Sequence, residues 1–261
     1  MDETFIEEMP TSKQDDDRFL TRLWDWKDVT LMLILFGVIF IIGQVAAIFL
    51  AGMEFDLTTG EVSNTGDTFL ILVYGLIGSF VAMVIPYFLV NLMRKRHSFV
   101  NLGFRPLLNG WGWTPVWLGI AAALIRMAIG AGLLQLFPSL VEGAEDLSEM
   151  FTFDLPWQMA VAGALATFIV PIYEEIFFRG ILHNALGNRL GIWGTILISS
   201  ALFGLFHIIP IQIITAFLLG LVLGWLYEKT NSLWAPILCH LVNNGLAMGL
   251  SMLSVWFGWG I

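Results

Sequence analysis

Long apolar runs alternate with short polar segments along almost the whole chain. Each run has about eighteen or more predominantly apolar residues, enough for a helix to cross a hydrocarbon layer of about 30 Å. Such segments are expected to be helical, because a bilayer offers backbone groups no other hydrogen-bond partner. The pattern therefore predicts an all-α, polytopic transmembrane helix bundle of about seven spans (six to eight). The predicted spans are residues 29–52, 68–93, 113–137, 157–186, 191–208, 211–228 and 233–259.

Composition agrees with a membrane protein and excludes an ordinary soluble domain. Hydrophobic residues make up 57% of the chain and charged residues only 13%, whereas soluble domains have about a quarter charged residues. The net charge of −9 comes mostly from segments that flank the spans. The lipid bilayer is therefore the expected partner, and no nucleic-acid partner is expected.

Polar segments predict the domain organisation and the orientation. Residues 1–28 form a polar, charged N-terminal segment, and residues 29–261 form one integral membrane domain. The loops at 53–67 and 138–156 carry acidic residues without Lys or Arg, whereas basic residues gather after the second span and around the turn after the fourth. The positive-inside rule then predicts a multi-pass cell-membrane protein with a cytoplasmic N-terminus.

A few ionisable and amide side chains interrupt the apolar spans. An ionisable group at the bilayer centre costs about 2.5–3.5 kcal/mol on insertion scales, so each one needs a partner or a role. The candidates are Arg126 in the third span, Glu174, Glu175 and Arg179 in the fourth, His207 at the end of the fifth, and His240, Asn243 and Asn244 in the seventh.

Helical spacing sorts these side chains into faces. Residues four apart share one face of a helix, so we expect Glu175 and Arg179 to form an internal ion pair. Glu174 points about 100° away from that pair and is free to face another partner. His240 and Asn244 are also four apart, so their side chains can converge on one small volume.

Depth in the membrane is a second test of which residues can act together. Glu174 lies about 20 Å of helix before Gly187, and His207 lies about 24 Å after Gly191. A hairpin that turns between these glycines therefore brings Glu174 and His207 to a similar depth.

The depth of His240 fits less simply. It lies only about 12 Å beyond a turn placed near residues 229–233. The sixth or seventh span must therefore tilt, break or begin deeper in the membrane than the other spans. Pro210 and Pro236 are the candidate helix breakers.

These side chains suit amide hydrolysis by either of two routes. A carboxylate with two histidines is the ligand set of many catalytic zinc sites, which leave a fourth position for water. Without a metal, Glu174 and His207 could jointly deprotonate a water while His240 and Asn244 donate hydrogen bonds to the oxyanion. The sequence leaves both routes open.

Three motifs stand in order on three successive predicted elements: EEIFFRG at residues 174–180, FGLFH at 203–207 and HLVNN at 240–244. Together they resemble the three-part signature of the CAAX-protease and bacteriocin-processing family, which includes the Rce1-type prenyl endopeptidases and many bacterial Abi proteins. The resemblance covers about residues 157–250, and the first three spans match only as generic membrane helices.

The resemblance implies an intramembrane endopeptidase and a role for each motif residue. Glu174 would be the water-activating carboxylate, supported by Glu175 and Arg179, and His207 the second water-activating residue. His240 and Asn244 would contact the oxyanion or transition state. If the enzyme needs a metal, a zinc ion on Glu174, His207 and His240 is expected; otherwise there is no cofactor. The implied substrate is a membrane-associated peptide or protein, either lipidated (CAAX-type) or a precursor.

Structural roles compete with these assignments at several positions. The two glutamates could form a purely structural ion-pair cluster with Arg126 and Arg179. Arg126 lies outside the motifs, so structural pairing or contact with a substrate carboxylate is expected of it instead of chemistry. His183, near the predicted cytoplasmic turn, is expected to be solvated or interfacial.

Two other functional classes remain open on the sequence alone. A proton-coupled transporter could use the same buried glutamate and histidines, although no internal symmetry of the kind such transporters show is visible. A non-catalytic scaffold or immunity protein could keep the fold and bind a partner. A broken motif would favour that class, but all motif residues are present.

Overall fold

The protein is helical apart from one two-residue strand pair and short connections, in the residues that the computed structural model describes. These residues are 26–52, 54–55, 62–63, 67–94, 102–107, 110–137, 155–207 and 209–257. In chain order the elements are α1 (Trp26–Leu50), β1 (Glu54–Phe55), β2 (Val62–Ser63), α2 (Thr68–Arg94), α3 (Thr114–Leu136), α4 (Pro156–Ala164), π1 (Leu165–Ile169), α5 (Val170–Glu175), π2 (Ile176–His183), α6 (Asn184–Leu205), α7 (Pro210–Thr230) and α8 (Trp234–Phe257).

The prediction of a polytopic helical bundle is confirmed. Within the described ranges, six helices are long and apolar enough to cross a bilayer, and a shorter apolar helix lies at Arg189–Leu205. The fourth span, Pro156–Gly187, is one continuous helical segment that contains α4, π1, α5, π2 and the first residues of α6. Of the predicted N-terminal segment 1–28, residues 1–25 lie outside the described part of the chain, as do most of the two acidic loops.

Helices α1 and α2 form a tightly packed hairpin at one side of the bundle. The backbones cross at Gly43 and Gly78, where a methyl group on Gly43 would lie 3.0 Å from the Cα atom of Gly78. Small residues let membrane helices approach this closely, and hydrogen bonds between helices then add to the contact. Here the Gln44 side-chain amide donates to the Gly75 carbonyl at 3.1 Å. Phe36 joins the hairpin to the fourth span through the ring of Phe177, at 4.8 Å between centroids.

A widened helical segment precedes the motif residues of the fourth span. Pro171 lacks an N–H donor, and its ring would clash with a carbonyl one turn earlier, so a regular α-helical ladder cannot run through it. The chain instead forms the π-helical segment π1, which ends two residues before Pro171. Single-turn π segments of this kind are frequent at functional sites. A second and longer π-helical segment, π2, follows Glu175 directly.

Helices α6 and α7 reverse the chain twice and pack closely on each other. The turn after the fourth span is sharp at Gly191, whose φ of 63° and ψ of 176° break the helix. At the far end, α7 begins at Pro210, which suits the first turn of a helix. Between them, a methyl group on Gly220 would lie 2.9 Å from the Cβ atom of Ser200.

The turn between α7 and α8 lies deep in the bundle, beneath the short segment 102–107. The Leu233 amide donates to the Gly103 carbonyl at 2.7 Å, and a methyl group on Gly180 would lie 3.1 Å from the Leu102 carbonyl oxygen. Since Gly180 lies about two turns inside the end of the fourth span, this turn begins well below that end. Of the three alternatives of a tilt, a break or a deeper start, these contacts favour a deeper start, and the missing side chain of Gly180 lets the backbone of Leu102 approach.

Burial separates a central group of helices from a lipid-facing outer group. In the apolar stretches of the fourth span and of α7, 44% of the residues are buried, whereas in that of α1 only 11% are buried. The outer helices expose large apolar side chains such as Ile41 at 64% and Phe49 at 59%. An apolar surface this extensive requires a lipid environment. The protein is therefore a multi-pass membrane protein.

Helix α3 is fixed against α8 at a single glycine. A methyl group on Gly119 would lie 2.5 Å from the Cys239 carbonyl oxygen and 2.9 Å from the Cβ atom of Val242. The close approach is between backbones, so no rotation of a side chain could relieve such a contact.

We expect Gly119→Ala to destabilise the protein by about 1–3 kcal/mol, because the added methyl group would force α3 away from α8. Gly130→Ala on the same helix is the matched control: nothing lies within 4 Å of the methyl position there, and alanine favours a helix by about 1 kcal/mol. Thermal unfolding in detergent micelles measures both. Equal melting temperatures for the two variants would contradict the packing described.

Candidate active site

A buried ion pair lies at the centre of the motif residues. Arg179 Nη1 donates to Glu175 Oε1 at 2.8 Å, and both side chains are fully buried. Arg179 Nη2 donates to the Gly220 carbonyl on α7 at 3.0 Å. The ion pair expected from the four-residue spacing is thus present, and it also ties the fourth span to α7.

His240 bridges the two adjacent glutamates from helix α8. Its Nδ1 lies 2.9 Å from Glu175 Oε1, and its Nε2 lies 3.8 Å from Glu174 Oε2. A carboxylate held by an arginine can only accept, so Nδ1 carries the proton that binds Glu175. In the neutral ring, Nε2 is then an acceptor that faces the carboxylate of Glu174.

Phe203 on α6 is surrounded by three of the polar motif residues. The guanidinium carbon of Arg179 lies 4.8 Å from the centroid of its ring. The rings of His207 and His240 meet it edge-on, at 5.1 Å and 5.6 Å between centroids. Such contacts favour a fixed orientation of rings and cation. Phe203 therefore packs against both histidines, a contact that the sequence does not predict.

His207 lies just beyond the end of α6. Its Nδ1 lies 3.0 Å from the Phe203 carbonyl oxygen. A carbonyl oxygen only accepts hydrogen bonds, so Nδ1 bears the proton and Nε2 keeps its lone pair in the neutral ring. His207 makes no hydrogen bond with Glu174; the two residues are linked through Phe203 and His240. The bond to Phe203 also satisfies a carbonyl that the end of the helix leaves without an amide partner.

The two asparagines of the third motif differ in their surroundings. Asn244 donates from Nδ2 to the Ala166 carbonyl in π1 at 3.1 Å, and Asn243 Nδ2 donates to Asn244 Oδ1 at 3.0 Å. Asn244 therefore connects α8 to the widened segment of the fourth span. Asn243 is fully buried, and its Oδ1 has no hydrogen-bond partner.

Several buried polar atoms in this region are unsatisfied. Most buried polar atoms in proteins are paired, so each unpaired one needs an explanation, such as contact with water or with a substrate. Within the described residues, the unpaired buried atoms around the motifs are Arg126 Nε, Glu174 Oε2, Glu175 Oε2, Arg179 Nε and Asn243 Oδ1.

The described side chains do not form a ready metal site. Among these residues, no group of three His, Cys, Asp or Glu side chains is arranged to hold a metal ion. Glu174, His207 and His240 are all described, so this holds for the conditional zinc set as well. Glu174 and His240 approach each other, but His207 presents one ring nitrogen to a backbone carbonyl and does not join them.

His183 differs from the expectation of a solvated or interfacial histidine. It is 1% exposed, and its ring lies 3.1 Å from Ser199 Oγ and 2.9 Å from Glu228 Oε1. The expectation was wrong because helix α7 returns past this part of the fourth span and covers it. The ring therefore links the fourth span to α6 and α7.

Comparison with known proteins gives two findings for the motif-bearing part of the chain. Residues 156–246 match the family model described as type II CAAX prenyl endopeptidase Rce1-like. The Bacillus subtilis (strain 168) protein named "Putative membrane peptidase YdiL" is 34% identical over 80 residues. These residues are 31% of this chain and 33% of the relative, so the chain spans about a third of the length of the curated relative it matches.

The comparisons confirm the resemblance to the Rce1-like group and limit its extent. The family match falls on the fourth span and helices α6 to α8, which carry all three motifs. No solved structure matches the chain.

We expect removal of one partner of the central ion pair to cost about 3–5 kcal/mol of stability, because the other charge would stay buried and unpaired. Arg179→Met and Glu175→Gln should each lower the melting temperature in micelles. The double variant should be less destabilised than the two losses together predict. Strictly additive losses would show that the pair is not energetically coupled.

Proposed function

We propose that this chain, whose residues 156–246 match the Rce1-like family, is an intramembrane endopeptidase that hydrolyses a peptide bond of a membrane-associated substrate. The observation that carries the proposal is that two hydrogen-bond acceptors, Glu174 Oε2 and His240 Nε2, face each other 3.8 Å apart. Two facing acceptors repel unless a donor lies between them. A water molecule, with two O–H donors, is the natural ligand for this place.

Glu174 is the general base of the proposed reaction. Its side chain is 14% exposed, whereas that of Glu175 is fully buried and bound to Arg179 and His240. Only Glu174 can therefore receive a proton without breaking the central ion pair. It takes a proton from the water, the oxygen attacks the scissile carbonyl, and the proton passes to the leaving amine. The products are a carboxylic acid and an amine, which become a carboxylate and an ammonium group when the second water proton is transferred.

His207 and His240 support this step from two sides. The tautomer of His207 leaves Nε2 free to accept a hydrogen bond from the attacking water or from the substrate. His240 is held by Glu175 so that its second nitrogen faces Glu174. The contacts of His240 and Asn244 with the oxyanion remain predictions taken from the family resemblance. No step of the proposed reaction passes through a metal ion.

The proposed substrate is a peptide or protein held at the membrane, either lipidated or a membrane-bound precursor. The fourth span carries Glu174 inside the bilayer, so a scissile bond must enter the membrane region to reach it. The Rce1-like match supports a prenylated CAAX-type substrate as the first class to test.

Glu174→Gln should abolish cleavage, because the amide cannot accept the proton of the attacking water; we expect a loss of about 10²–10⁴-fold in kcat. His207→Ala should also lose activity. Purified protein in vesicles would be offered a library of membrane-tethered peptides, with and without a lipid group, in the presence and absence of a zinc chelator. Cys239→Ala, on the same helix as His240, is the control.

Wild-type cleavage that survives in Glu174→Gln and His207→Ala would overturn this site. If the wild type cleaves no peptide, the protease proposal fails, and the scaffold and transporter classes become the ones to examine. Loss of cleavage with the chelator in an otherwise active protein would show that a metal is needed, against the ligand geometry of the structure.

We further propose that the site opens towards the cytoplasm, with the N-terminus on that side, since basic residues cluster near the end of the fourth span. Single cysteines introduced at positions 60 and 188 in a Cys239→Ala background test this orientation. A membrane-impermeant thiol reagent added outside cells should label Gly60→Cys and leave Asn188→Cys unlabelled. The reverse pattern would contradict it.

A further inference from the structure

Arg126 is a cationic side chain that faces the motif residues from helix α3. It lies seven residues after Gly119, so the two share a face of α3 within about 20°. Gly119 contacts α8 at Cys239 and Val242. The side chain of Arg126 therefore points towards α8 as well. Helical side chains lean towards the N-terminus, which directs the guanidinium back to the level of the motif residues.

The depth of Arg126 agrees with that of the proposed base. Arg126 lies about 18 Å along α3 from Thr114, and Glu174 lies about 20 Å from Gly187. The two helix ends lie on the same side of the membrane in a bundle that crosses it alternately. Arg126 is accordingly within Coulombic range of Glu174, His207 and His240.

The charge of Arg126 has no direct partner among the described residues. No carboxylate among them forms an ion pair with its guanidinium, and its buried Nε makes no hydrogen bond. A cation inside a membrane protein is costly unless it pairs or binds a ligand. Arg179, by contrast, is bound to Glu175 and to a carbonyl. Within the described part of the chain, Arg126 is thus a cation without an ion-pair partner, in Coulombic range of the proposed base.

The proposed reaction creates a negative charge that needs donors. When water attacks, the scissile carbonyl oxygen becomes an oxyanion, and preorganised donors aimed at it are often the largest catalytic contribution. Asn244 already donates to the Ala166 carbonyl, and the Nδ1 proton of His240 is bound to Glu175. Of the donors implied by the family resemblance, His240 is therefore engaged and Asn244 keeps one free N–H, which leaves room for a further donor.

We propose that Arg126 is a catalytic residue that stabilises the oxyanion of the tetrahedral intermediate. This inference rests on the proposed protease function. The C–O bond from water forms as Glu174 takes the water proton, and the carbonyl electron pair moves onto the oxygen that Arg126 contacts. The electron pair on the oxyanion re-forms the carbonyl bond when the C–N bond breaks and the amine leaves with the proton. Arg126 donates hydrogen bonds throughout and exchanges no proton.

The test compares Arg126→Gln and Arg126→Lys with the wild type on the tethered peptide that the wild type cleaves best. We expect Arg126→Gln to lower kcat about 10²–10³-fold, with KM changed by less than about threefold, as fits a contact made only in the transition state. Arg126→Lys should keep part of the rate. Added methylguanidine should restore part of the activity of Arg126→Ala. Arg189→Gln, which removes a charge at the exposed turn, is the control and should keep kcat.

The same peptide with an amidated C-terminus separates this role from the binding of a substrate carboxylate. An oxyanion contact predicts an equal loss on both peptides. A rise in KM that occurs only with the free carboxylate would overturn the proposal, as would an unchanged kcat in Arg126→Gln. If Arg126→Gln does not fold, the other two variants decide the question. The role would be refuted if Arg126→Lys kept full activity and methylguanidine did not restore the activity of Arg126→Ala. Glu174→Gln is assayed in parallel: retained activity there identifies a failure of the proposed site, and a wild type that cleaves no peptide identifies a failure of the protease proposal itself.

Discussion

The buried pair of Glu175 and Arg179 is the interaction on which the arrangement of the motif residues depends. Two full charges inside a membrane bundle are tolerated only when each is paired and is held by further hydrogen bonds. The fourth span supplies both charges, α7 supplies the carbonyl of Gly220, and α8 supplies the ring of His240. Helix α6 completes the shell with Phe203. The four helices converge because one ion pair needs partners from each.

This convergence requires α8 to begin deep in the bundle, and a short stretch of irregular chain makes that possible. Non-helical backbone at such a depth must find partners within the protein. Segment 102–107 provides them: the Gly103 carbonyl accepts from Leu233, and the Arg105 carbonyl accepts from the Ser232 hydroxyl. Gly103 has a backbone φ of 94° and no side chain, so Tyr227 and Leu233 can lie close to it. The loop thereby sets the depth of His240.

The sequence predicted the parts of the structure that follow from local periodicity. Apolar runs located the spans, and four-residue spacing identified the Glu175–Arg179 pair, because both depend on one helix at a time. It could not reveal that α7 covers His183, since that contact joins residues 45 apart in the chain. The depth argument did detect a conflict at His240 without finding its cause. The segment 102–107 that resolves it has no local signal beyond its glycine.

In the proposed mechanism the two adjacent glutamates, Glu174 and Glu175, serve two different purposes. A rotation of about 100° separates their side chains, so Glu175 enters the closed centre while Glu174 faces the partly open side with Arg126 and His240. Environment, and not residue type, decides which carboxylate can take up a proton, as in other enzymes that assign different roles to two carboxylates. Glu175 could not take up a proton without losing the charge that pairs with Arg179. The residue of the ion pair and the proposed base are therefore different, and adjacency on one helix places both at a similar depth.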